Sequence, residues 1–159
     1  MSKFYEIEPS LENYWRAIIL FGRNVASYKF ALAKALYDLK DSGDTIITLD
    51  QLAEPFSKHI TSHLIACDKQ GTSANSKFLN ACRDFNANKI THNQLIEVTV
   101  KLGFNNVIDA FHNVHNEEVP TRFFMDERKT KGGIILTDEF FKLGEQFQYN
   151  SLPEETEAR

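Results

Sequence analysis

Between Arg23 and Lys40 the chain reads RNVASYKFALAKALYDLK, and no other stretch limits the fold as strongly. Plotted at about 100° per residue, Arg23, Ser27, Lys34 and Asp38 form one narrow polar stripe, with Asn24 beside it. Val25, Tyr28, Leu32, Leu36 and Leu39 lie opposite, and Ala26, Phe30, Ala33 and Tyr37 fill a flank. A helix that is apolar around most of its circumference needs neighbours on at least two sides, so the spacing predicts the central helix of a multi-helix domain. Lys29 breaks the pattern by projecting among Val25, Ala33 and Leu36. It either runs past them to water or pairs with a carboxylate from another helix, which makes it the buried-charge candidate.

The flanking segments supply further helices. Ser10 is a suitable N-cap for a helix that opens after Pro9 and breaks near Gly22. The central helix ends in the turn cluster DSGDT. Thr48 to Gln51, TLDQ, then fits a capping box, while Pro55 predicts a short turn followed by a separate helix from Pro55 to Lys69. The polar stretch KQGTSANS is the clearest internal boundary, so the chain reads either as a single unit or as two packed helical subdomains, 1–72 and 73–150. The second should contain helices over Ala74–Asn86, His92–Leu102 behind the capping box THNQ, and Asn106–Asn116. In TRFFMDERKTKGGIILT, two apolar runs flank a basic, glycine-containing turn, which is a hairpin signal. Thr137 should cap a last helix through Phe147, and residues 151–159 read as the start of a linker or of a truncated helix.

The fold class is therefore mainly α, a multi-helix domain with a small C-terminal β-hairpin, in a winged-helix-like order. In that order Asn106–Asn116 would be the helix offered to a DNA groove. It contains Asp109, lacks Lys and Arg, and runs into Glu117 and Glu118, so phosphate would repel it. DNA contacts fall instead to Arg122, Arg128, Lys129 and Lys131 on the hairpin. A formal charge of −4 argues against a whole-surface nucleic-acid binder. The thirteen phenylalanines suggest several helices that each anchor an aromatic in a shared interior. Neither a secretion signal nor a membrane-spanning run is evident, so a cytoplasmic protein with reduced Cys67 and Cys82 is expected.

His59, His63 and Cys67 recur at steps of four and stack three potential metal ligands on one helical face. The same angles place His63 and Cys67 within the apolar stripe of Leu52, Phe56 and Ile60, where burial explains them without a metal. His112 and His115 beside Glu117 and Glu118 form a second, equally weak cluster. No phosphate loop, dinucleotide motif or nucleophile elbow is present. The sequence nominates no catalytic residue and no cofactor.

LENYWRAIILFGRNVASYKFALAKALYDL, Leu11 to Leu39, resembles the N-terminal region of bacterial proteins that carry an HNH endonuclease domain further along. TLDQLAEPFSKHI and LPEETEAR are similar to segments that precede the nuclease part. The family's catalytic unit is a ββα-metal fold with a histidine general base and a metal-binding His or Asn, and it has no counterpart here. His92-Asn93 sits at a predicted helix start without a hairpin or second histidine. The resemblance thus implies a non-catalytic regulatory or DNA-positioning domain of a restriction or phage-defence nuclease, whose divalent metal would belong to the nuclease domain. The residues themselves leave open an alternative, a protein-interaction or dimerisation module that does not bind DNA.

Overall fold

The computed structural model describes residues 10–20, 26–67, 77–114 and 117–143. Residues 1–9, 21–25, 68–76, 115–116 and 144–159 fall outside them, among these Gly22, the polar stretch 69–76 and His115. The described chain is mainly helical, with a small antiparallel sheet near the C-terminus. Its elements are α1 (Leu11–Leu20), α2 (Ala26–Lys40), β1 (Ile46–Thr48), α3 (Leu49–Cys67), α4 (Lys77–Asn86), α5 (His92–Val98), α6 (Val107–Ala110), β2 (Asn113–Val114), β3 (Glu117–Glu118), β4 (Phe124–Glu127), β5 (Gly133–Leu136) and α7 (Asp138–Phe141). Among the described residues, no helix is long and apolar enough to cross a membrane.

The helix starts form as their side chains dictate. The Asn13 amide donates to Ser10 Oγ at 3.2 Å. Gln51 N–H donates to Thr48 Oγ1 at 3.1 Å and Thr48 N–H to Gln51 Oε1 at 2.9 Å, the reciprocal pair of a capping box. Thr91 and Gln94 make the same exchange at 3.1 and 2.8 Å. Thr137 caps α7 through Phe140 N–H.

Three helix expectations are corrected. α3 runs unbroken through Pro55, because Leu52, Ala53, Phe56, Ile60 and Leu64 form one buried face against its neighbours and hold the helix together across the defect. Pro55 still leaves the Gln51 carbonyl without its i+4 amide. Pro55→Ala is accordingly expected to stabilise the fold by about 1–2 kcal/mol, the regained hydrogen bond exceeding the ~1 kcal/mol by which proline restricts the unfolded chain. The urea midpoint reads this out; an unchanged or lower midpoint would mean that the helix has already relaxed around the ring.

Second, the helix that opens at His92 changes pitch, because Thr99–Gly103 form a π-helical turn. Third, the expected helix Asn106–Asn116 is one turn only, Val107–Ala110. The buried side chains of Phe111 and His112 come next, and Asn113–Val114 pair with Glu117–Glu118 as strands. The helix needed to enter a groove is thus not formed.

β4 and β5 make the expected hairpin, and Gly132 takes φ +70° in its turn. β1, where the residues suggest only a turn and a cap, adds a third strand and pairs Ile46 with Ile135, Ile47 with Ile134 and Thr48 with Gly133. At Gly133 an added Cβ would lie 2.0 Å from the Ile47 carbonyl oxygen, so the two backbones meet where only glycine fits.

One core joins both halves of the chain. Trp15 is fully buried and meets Tyr37, Phe111, Phe123 and Phe140 at ring-centroid distances of 5.0–5.7 Å. A second cluster links Tyr28, Phe56, Phe78 and Phe104. α2 lies against α1, α3 and α6, as its all-round apolarity required, but α3 touches more of the helical partners.

Candidate functional site

The hairpin cations divide into two kinds. Arg128 is anchored: its Nε and Nη2 donate to the two carboxylate oxygens of Asp126 at 2.8 and 2.7 Å, and Nη2 also reaches Asp109 at 2.7 Å. The fork holds Asp126 below the usual carboxylate range, chiefly through that side-chain hydrogen bond, and raises Arg128 for the same reason. Arg122 pairs with Glu118 at 2.5 Å and donates from Nε to the Phe124 carbonyl at 3.3 Å. Lys129 and Lys131 stand exposed and have no ion pair with a described residue. Of the four residues expected to contact DNA, two therefore carry ion pairs within the fold and two do not, among the described residues.

Lys29 is 1% exposed. It takes neither expected route, since Nζ donates to the backbone carbonyl of Asn113 at 2.7 Å and ties α2 to β2. Burial lowers its pKa to about 8. Beside it, His112 is equally buried and accepts the Phe123 amide on Nε2 at 2.9 Å, which places its proton on Nδ1. Nδ1 has no hydrogen-bond partner among the described residues. Burial, reinforced by Arg122 and Lys29, lowers the His112 pKa to about 3. A histidine in this state is a neutral core residue and a poor metal ligand.

Of the stacked candidates His59, His63 and Cys67, the structure describes the side chains of the two histidines. His59 Nε2 lies 2.6 Å from Asp38 on α2, His63 is half-buried with Nε2 lacking a partner, and the Cys67 side chain lies outside the described part. Among the described residues, no group of three or more His, Cys, Asp or Glu is placed to hold a metal. The Cys82 thiol is buried and pushed up to about 12, which keeps it protonated.

A cleft that no motif signals lies nearby. α2, α3, the end of α4 and the start of α5 enclose about 530 Å³. Asp38, Glu54, Lys58, His59 and His92 provide its ionisable lining, with Ser57 and Thr61 beside them. His92 Nε2 lies 2.8 Å from Glu54, so the cleft carries two imidazole–carboxylate pairs, each bridging two helices. Pro55, Phe85 and Leu95 are among its apolar lining. The His92–Glu54 pair spans 38 residues, and no local spacing reveals it.

No family model, curated protein or solved structure matches the chain, so the resemblance to HNH nuclease N-termini gains no support from these comparisons.

Proposed function

We propose that the chain is a non-catalytic protein-interaction module that self-associates through the outer face of its three-stranded sheet. The observation that carries this reading is one apolar row. Ile46, Ile135 and Met125 are in register across β1, β5 and β4, and Ile46 and Met125 are 46% and 44% exposed. The opposite face already supplies the core through Ile47, Phe124, Ile134 and Leu136. Folding therefore does not need the outer row, and a one-faced antiparallel sheet ordinarily presents polar residues there.

The edges are less suited to pairing. Thr48 N–H is occupied by Gln51, and the Phe124 carbonyl by Arg122. Two copies stacking this row face to face about a two-fold axis bury like against like. Sedimentation equilibrium should show a reversible dimer that Met125→Glu abolishes while leaving thermal stability within about 0.5 kcal/mol. A wild-type protein that stays monomeric up to millimolar concentration would defeat the reading.

The exposed Lys129 and Lys131 favour a second reading, DNA positioning. Arg128 should be left intact in its test, because removing it breaks the Asp109 and Asp126 contacts. DNA affinity that falls steeply with salt and is lost in Lys129→Glu/Lys131→Glu would support it. Parentage in an HNH nuclease is part of the same proposal, and the reading frame downstream of Arg159 tests it.

A further inference from the structure

We infer that the cleft between α2, α3 and α5 binds an organic cation, a guanidinium head on an apolar stem such as an arginine side chain presents. This site is independent of the sheet surface. Each imidazole engages one oxygen of its carboxylate, Oδ2 of Asp38 and Oε2 of Glu54. Oδ1 of Asp38 and Oε1 of Glu54 are left to accept from a ligand, and both side chains are more than half exposed, at 51% and 57%.

With Nε2–H directed at a carboxylate, each ring keeps Nδ1 as a further acceptor. The polar lining is thus acceptor-rich. Two carboxylates face the single ammonium of Lys58. An anion would meet Asp38 and Glu54, and a metal lacks a third protein ligand among the described residues.

Shape points the same way. The Phe85 and His92 rings lie edge to face at 6.3 Å, and Pro55 and Leu95 line the same cleft, so aromatic and apolar surface is available for a flat guanidinium to stack on. A volume of about 530 Å³ lies within the range of small-ligand clefts and exceeds what one amino-acid side chain needs, leaving room for the stem. Lys58 is the only lysine or arginine among the described lining residues, which gives the site a diagnostic sign: removing that residue should tighten binding.

The probe is n-butylguanidinium, titrated into the whole protein at pH 8 while the His59 and His92 imidazole resonances are followed by NMR. Saturable shifts at both rings are expected. Asp38→Asn and Glu54→Gln, whose amide oxygens still accept from the imidazoles, should each weaken binding about tenfold, and Lys58→Ala should tighten it about threefold. Lys58 is exposed, so its replacement tests the sign without disturbing the fold. An absence of saturable shifts, affinities indifferent to all three substitutions, or inorganic phosphate moving the same resonances would each overturn the assignment.

Discussion

Gly133→Ala is expected to remove more than about 4 kcal/mol of stability, enough to leave a domain of this size largely unfolded. The added Cβ would lie 2.0 Å from Ile47 O and 2.7 Å from Thr48 Cα, both backbone atoms, so no side chain can rotate aside. Either β1 leaves the sheet or the sheet shifts register, and a one-residue slip would turn Ile47 out of the core. Gly132→Ala is the matched control. Gly132 sits at φ +70° with nothing within 4 Å of an added Cβ, and should cost only about 1–2 kcal/mol of backbone strain. Urea unfolding of the two variants separates steric exclusion from lost flexibility, and equal midpoints would refute the close approach.

The second large effect is acid sensitivity centred on His112. Its folded pKa of about 3 lies below the ordinary value of 6.5. Above pH 6.5 both the folded and the unfolded state are neutral at this residue and stability is unaffected. As pH falls from 6.5 to 3, only the unfolded chain takes up the proton, so stability declines by about 1.4 kcal/mol per pH unit, roughly 5 kcal/mol in all. Carboxylates such as Asp126, held down by Arg128, add to the loss at the acid end. The His112 share is isolated by His112→Gln, whose Oε1 can take the place of Nε2 and accept the Phe123 amide. The variant should show a shallower dependence of its urea midpoint on pH between 6 and 4, by close to one proton. Parallel curves would assign the acid sensitivity elsewhere.

Local chemistry made much of the fold legible. Both capping boxes, the Ser10 cap, the hairpin and the packing of α2 arise from neighbouring residues or from a single helical period. The features that escaped depended on distant partners. Thr45 to Thr48 is a β-branched run of the kind that forms strands, but its pairing with β5 lies almost ninety residues on. Pro55 lowers local helix preference by about 3 kcal/mol, and the packing of α3 against α2, α4 and α5 outweighs it. Of the expected hairpin cations, Arg128, Lys129 and Lys131 lie in the turn between β4 and β5 and Arg122 just before β4, and the carboxylates that pair with Arg122 and Arg128 come partly from Glu118 and Asp109, outside the hairpin. The cleft was illegible for the same reason, because its two imidazole–carboxylate pairs are assembled from three helices.

The π-helical turn at Thr99–Gly103 sets a constraint of another kind. A turn closed from i to i+5 holds one residue more than the i to i+4 turn it replaces. Losing a single residue there would let the helix relax to regular pitch and rotate the downstream chain by about 100°, carrying Phe104 and Val107 off the core face they now occupy. Gly103, packed beneath the Phe78 ring, would turn away with them. Among descendants of this sequence, exchange at exposed Lys101 should therefore be common and gaps across the turn rare, so that the spacing between Leu95 and Phe104 would mark true relatives more faithfully than the residues between them.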